Sequence, residues 1–131
     1  MRTFTILAAI AALSVSSLAT PATSLTKRSA DYSNNCKGSG FCGTKPIRAD
    51  CGKAIATVNP DASYTDQAQF SVGDCYMIYA TNGAGQQSVS GQTIIDTANT
   101  ILDTCTYGCG SYGTNNPGCS SCHVTLNYRA D

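Results

Sequence analysis

The pattern of apolar and polar positions predicts two helices. The first is expected over residues 46–58, with Thr44 as its N-cap and Pro46 in its first turn, where proline is tolerated. Asn59-Pro60 should end it, because the residue before a proline avoids helical angles. Its apolar positions recur at helical spacing and share one face: Ile47, Cys51, Ala54, Ile55 and Val58.

The second helix has the stronger pattern and is expected over residues 92–105. Ser90 is a suitable N-cap, and Gly108 is a typical C-terminal stop. Asp96 and Asp103 fall on the polar face. The core-facing stripe consists of Ile94, Ile95, Ala98, Ile101, Leu102 and Cys105.

Strand patterns lie between and after the helices. Residues 68–72 and 75–81 flank Gly73-Asp74 and predict a hairpin, with an apolar side formed by Tyr76, Ile78 and Ala80 and a mixed opposite side. Residues 123–128 alternate as in a half-buried strand, and residues 110–121 are expected to be a loop. The order of strand, helix, hairpin, helix and strand predicts an α+β sandwich, with two helices on one face of an antiparallel sheet.

The N-terminal residues have the features of a secretory leader. A short basic start precedes the apolar run Ile6–Val15, and Ser17-Leu18-Ala19 predicts cleavage after Ala19, so residues 1–19 are interpreted as a signal peptide. Residues 20–28 end in the dibasic pair Lys27-Arg28, which suits a processing protease. The remaining residues 29–131 are long enough for one domain, which we expect to be extracellular.

The balance of charged residues bears on whether the protein could bind nucleic acid. The full chain of 131 residues has eight basic and eight acidic side chains, but residues 29–131 keep five basic against eight acidic. A protein that binds nucleic acid mainly through phosphates needs a basic surplus, so no nucleic-acid partner is expected. We expect a monomer.

Eight cysteines in a secreted chain predict four disulfides: Cys36, Cys42, Cys51, Cys75, Cys105, Cys109, Cys119 and Cys122. Cys105 and Cys109 are four residues apart at the end of the second helix, so we expect Cys36 and Cys42 to pair with them. The pairing of the remaining four is left open.

Zinc binding and redox activity are less well supported as roles for the cysteines. Cys105, Cys109, Cys119 and Cys122 have spacings that a zinc site would allow, and Cys119-Ser-Ser-Cys122 is a C-x-x-C pair. Secretion argues against zinc, and the pair lacks the helix N-terminus that activates redox thiols. Structural disulfides are therefore expected, with no metal and no cofactor.

No catalytic constellation emerges from the remaining residues. His123 follows Cys122, but an even cysteine count leaves no free thiol for a Cys-His dyad, and His123 is expected to face solvent. Asp96 and Asp103 could in principle act as paired carboxylates, although two acids on an exposed helix face are more often solvated. We do not expect an enzyme.

The first helix offers one candidate contact for a partner. Lys45, Arg48 and Lys53 should lie opposite its apolar face and form a basic face in an otherwise acidic protein. This basic face would suit an anionic target, although ordinary solvation explains it as well.

Three segments resemble the KP-four family of killer toxins, founded by a virally encoded toxin of corn smut and including secreted fungal proteins. Asn35–Gly43, N-C-K-G-S-G-F-C-G, resembles the family's opening motif. Ser90-Gly91 with Cys109-Gly110-Ser111 resembles the stretch around its long helix, and Val124–Tyr128 resembles its terminal strand.

The resemblance implies a disulfide-bonded sandwich with two antiparallel helices, and a toxin without enzymatic activity. The founding member blocks calcium channels through a basic residue, whereas residues 64–74, which lead into Cys75, contain no Lys or Arg. The expected function is binding of a membrane or cell-surface protein target, such as a calcium channel, of competing fungi or host cells. The alternatives are a non-toxic effector that masks or inhibits a host protein, and a small secreted enzyme.

Overall fold

The computed structural model describes residues 32–130. The predicted signal peptide, the cleavage site at Ala19 and the pair Lys27-Arg28 lie outside the described residues. Within residues 32–130, neither helix has the length and hydrophobicity that a bilayer crossing requires.

Helix α1 spans Ile47–Ala56 and buries Ile47, Cys51, Ala54 and Ile55, in agreement with the predicted face. The predicted cap was wrong. Pro46 occupies the N-cap position and offers no side-chain acceptor, whereas Thr44 follows a 3₁₀ helix, Gly40–Gly43. The amides of Thr44 and Lys45 both donate to the carbonyl of Phe41, and this tight turn keeps the Thr44 side chain from capping α1.

Helix α2 spans Gly91–Thr104, close to the predicted bounds. Ser90 caps it as predicted, because its hydroxyl accepts from the Thr93 amide at 3.1 Å. Gly108 has a φ of +79°, a left-handed conformation that glycine adopts without strain, and the chain turns there. Ile94, Ala98 and Ile101 are fully buried.

Six strands form two antiparallel sheets. β1 (Ser63–Tyr64) pairs with β4 (Val89–Ser90), a contact that the sequence pattern did not reveal. The main sheet has the order β2-β3-β6-β5. Its strands are β2 (Ala68–Gln69), β3 (Cys75–Ala80), β5 (Gly110–Gly113) and β6 (His123–Tyr128).

The hairpin around Gly73-Asp74 is confirmed, but its buried side is the mixed one. Cys75, Met77 and Tyr79 face the helices, whereas the opposite side is half-buried. Tyr79 is buried there because its hydroxyl donates to the carbonyl of Gln87 at 2.6 Å and accepts from Asn116 at 2.9 Å. Burial raises the pKa of Tyr79, so its hydroxyl remains a donor.

Two predictions about the sheet were wrong. Residues 110–121 are not all loop, since Gly110–Gly113 forms the edge strand β5, which is stabilised by pairing with β6 rather than by its own sequence. The expected N-terminal strand is reduced to a single bridge between Asn35 and Ser111.

His123 does not face solvent as predicted. It is 9% exposed, because the Tyr32 ring stacks on its imidazole with centroids 4.6 Å apart. Its Nδ1 lies 2.8 Å from the carbonyl oxygen of Ser121, so Nδ1 carries the proton and donates.

All eight cysteines are paired. Cys36 joins Cys105 and Cys42 joins Cys109, in agreement with the expected tie between the N-terminal segment and the end of α2. The remaining bridges are Cys51–Cys75 and Cys119–Cys122. The four cysteines with zinc-like spacing are therefore distributed over three bridges. The protein has a disulfide-stabilised α+β fold with one core between the helices and the main sheet.

Candidate functional site

An open groove lies between the start of α1 and the turn that follows α2. Its volume is about 540 Å³. Its walls come from two segments that are far apart in sequence. The lining residues are Cys42, Gly43, Thr44, Lys45, Pro46, Ile47, Arg48, Ala49, Thr106 and Tyr107.

Two disulfides hold the walls of this groove together. Cys42 lies in one wall and is bridged to Cys109, just beyond the opposite wall. Cys36–Cys105 fixes the start of the turn that carries Thr106 and Tyr107. The turn itself closes through the Gly108 amide, which donates to the carbonyl of Cys105 at 2.9 Å. The groove is therefore a rigid part of the fold.

Arg48, predicted as a target contact, has a structural role. Its guanidinium donates to the carbonyls of Leu102 and Cys105 at 2.7 Å and of Thr106 at 3.0 Å. Carbonyls at a helix C-terminus lack partners within the helix and carry partial negative charge, which a guanidinium satisfies. Arg48 thus fastens α1 to the end of α2, and much of its charge is directed at that helix end.

The predicted basic face does not form one surface. Lys45 is exposed in the groove. Lys53 lies farther along α1 and does not line the groove; its Nζ lies 3.7 Å from Asp50. The Asp50 carboxylate also accepts from the Asp74 amide at 2.9 Å. Lys45 is therefore the groove cation with a free side chain, whereas Lys53 is a solvated residue in a weak ion pair.

Two exposed aromatic residues near the groove were missed in the sequence. Tyr107 lines it and is 61% exposed, and Phe41, which precedes the lining residue Cys42, is 56% exposed. The Tyr107 ring packs against Gly43, where an added Cβ would lie 3.5 Å from the ring. The Phe41 ring centroid lies 5.1 Å from that of Tyr128. Phe41 is adjacent to a cysteine, and one residue separates Tyr107 from the nearest cysteines. This proximity to the cysteines was the sequence feature that could have drawn attention to them.

The groove has the chemistry of a binding surface. It combines an apolar floor, threonine hydroxyls, Lys45 and an aromatic ring, and none of its lining residues is acidic. The candidate carboxylates Asp96 and Asp103 are exposed on α2 and lie outside the lining. Within residues 32–130, no group of three His, Cys or Asp side chains has the geometry of a metal site.

Arg48→Ala should destabilise the protein, because it removes the bonds that join α1 to the end of α2. Charge-assisted hydrogen bonds contribute roughly 1.5–3 kcal/mol each when well buried, and the three Arg48 bonds are partly exposed, so we expect a loss of about 2 kcal/mol in the free energy of unfolding. Lys45→Ala and Lys53→Ala are the matched controls and should each stay within about 0.5 kcal/mol of wild type. Denaturant titration of the three variants measures this, and equal stability of all three would contradict the role of Arg48.

Comparison with known proteins identifies one family. No curated protein matches the chain. The profile of the meiotically up-regulated gene family matches residues 34–131, which include the groove, both helices and all eight cysteines. Because this match covers most of the chain, the protein belongs to the meiotically up-regulated gene family.

Proposed function

We propose that the protein is a secreted, killer-toxin-like binding protein that acts on a membrane or cell-surface protein of competing fungi or host cells. It acts by binding rather than by catalysis, and the groove beside Lys45 is its contact. The observation that carries the proposal is the exposure of Tyr107 on a turn fixed by two disulfides and by Arg48.

Rigid exposed aromatics are costly to leave in water and are typical of the anchors of protein interfaces. Trp, Tyr and Arg side chains dominate the binding energy of such interfaces, and a preorganised anchor loses little entropy when it binds. Tyr107 has both properties, since its turn is bonded on each side and its ring is mostly in solvent. Lys45 beside it adds a positive charge that favours an anionic partner.

Four disulfides support an extracellular site of action. Proteins with several disulfides are found in oxidising compartments and are rare in the cytosol. The N-terminal residues have the pattern of a signal peptide followed by the dibasic pair Lys27-Arg28. Together these features favour a mature chain that begins at Ser29 and is released from the cell.

The resemblance to killer toxins supports the toxic form of this proposal. The opening motif Asn35–Gly43 includes the 3₁₀ helix and part of the groove wall. The basic residue of the founding toxin has no counterpart in residues 64–74, and Lys45 supplies a positive charge at a different place in the fold. The proposed contact is therefore at the groove, and calcium-channel block is one mode of action to test.

Purified protein applied to fungal and plant cells tests the proposal. We expect the protein to be retained on the surface of responsive cells and to change their growth or their calcium influx. Retention without either response would identify a non-toxic binder, the alternative effector. Absence of retention on every cell type, with the protein folded and all bridges formed, would contradict a surface target.

A further inference from the structure

We infer that the groove takes an acidic peptide segment of the target, with a carboxylate at Lys45 and an apolar side chain against Tyr107. This inference rests on the proposed function and names the chemistry of the partner at the same site.

The charge of the groove is the reason to expect an acidic residue in the bound peptide. The groove has Lys45 and the Arg48 side chain in its lining and no acidic residue. At the nearby start of α1, the Ile47 amide already donates to the carbonyl of Lys45 and Asp50 lies in the first turn, so the positive charge available to a ligand is the ammonium group of Lys45 with its N–H donors. A carboxylate satisfies these donors, whereas a cationic segment would be repelled by Lys45.

The mixture of apolar and charged groups in the lining favours a peptide segment that carries both kinds of side chain. The lining of this open groove includes the Tyr107 ring, Pro46 and the Lys45 side chain. Short segments with alternating charged and apolar side chains bind in this way, since the charge selects the register and the apolar side chain displaces water.

A lipid headgroup shares the negative charge but fits less well. Each basic residue near an anionic membrane contributes only about 1 kcal/mol, and Lys45 is the one groove cation with a free side chain. Residues 32–130 also have five basic against six acidic side chains, so the described domain as a whole is not attracted to an anionic bilayer. The structure therefore favours an acidic protein segment over a membrane surface.

Selection of peptides on the intact secreted protein tests this inference. The oxidised protein is immobilised, and a phage library of random dodecapeptides is selected against it. We expect the enriched peptides to contain an excess of Asp and Glu together with an apolar residue. As a synthetic peptide, the most enriched sequence should bind Lys45→Glu and Tyr107→Ala at least about tenfold more weakly than wild type, and its affinity should fall with added monovalent salt. Lys53→Glu is the matched charge reversal outside the groove and should bind within about twofold of wild type.

Enrichment without an acidic bias, or the absence of enrichment, would overturn the inference. So would peptide binding that Lys45→Glu and Tyr107→Ala leave unchanged. Vesicles of phosphatidylserine are run beside the peptides, and binding to vesicles alone would assign the groove to lipid. If the peptides fail while retention on responsive cells still depends on Lys45, then the acidic segment is wrong and the proposed function stands.

Discussion

Removing both Cys36–Cys105 and Cys42–Cys109 should lower the free energy of unfolding by about 7 kcal/mol, against about 3 kcal/mol for removing either bridge alone. The two bridges close nearly the same loop, with sequence separations of 69 and 67 residues. By chain entropy, the first bridge to close such a loop contributes about 4 kcal/mol, and the second closes only the remaining loop of roughly ten residues and adds about 3 kcal/mol. Loss of one bridge should therefore cost about 3 kcal/mol and loss of both about 7 kcal/mol.

Three variants are compared by guanidinium titration. They are the double variant Cys36→Ala/Cys105→Ala, the double variant Cys42→Ala/Cys109→Ala, and the quadruple variant that combines them. Total stabilities of small domains are about 5–15 kcal/mol, so a loss of about 7 kcal/mol is a large share of the stability. The double variant Cys119→Ala/Cys122→Ala is the control. Its cysteines are only 3 residues apart in sequence, so the loss of this bridge should lower the free energy of unfolding by about 2 kcal/mol. A quadruple variant as stable as either long-bridge variant would contradict the shared loop.

Gly91→Ala is the single substitution with the largest expected effect, a loss of about 3 kcal/mol in the free energy of unfolding. A Cβ at Gly91 would overlap the backbone carbonyl of Asn59. The chain has little room to move apart there, since the Gly91 amide donates to Ala62 and the Gln92 amide donates to Pro60. The overlap involves backbone atoms on both sides, so it cannot be relieved by a side-chain rotation.

Gly52→Ala is the matched control for this prediction. Gly52 lies in the middle of α1, and an added Cβ there meets no atom within 4 Å. The same substitution should therefore stabilise the protein by about 0.5–1 kcal/mol through backbone entropy. Thermal unfolding of both variants gives the comparison, and a loss at Gly52 with none at Gly91 would contradict the described packing.

The helices could be predicted because their local signals agree with their packing. The apolar stripe and the cap at Ser90 both indicate α2, although the helix ends at Thr104, before the predicted stop at Gly108. The edge strand Gly110–Gly113 could not be predicted, because two of its four residues are glycines and its pairing with β6 decides its conformation. The strand pattern also did not show which side of β3 is buried, since Tyr79 is buried through hydrogen bonds to residues outside the strand, Gln87 and Asn116.

The candidate site was only partly visible in the sequence. Helical spacing placed Arg48 and Lys53 on the exposed side of α1, but Lys45 precedes the helix, and the spacing could not show that Arg48 reaches carbonyls more than 50 residues away. Nor could it show that Tyr107 meets Gly43, because that contact depends on the Cys42–Cys109 bridge. Side-chain roles that depend on long-range contacts require the folded structure.

The most direct test of the groove as the contact is retention of labelled protein on responsive cells, compared between Lys45→Glu and Lys53→Glu. The two variants have the same charge change, Lys45 just before α1 and Lys53 within it, but only Lys45 lines the groove. We predict that Lys45→Glu loses at least about tenfold in retention, while Lys53→Glu stays within about twofold of wild type. Equal retention of the two variants would show that the target is bound elsewhere and would contradict the account.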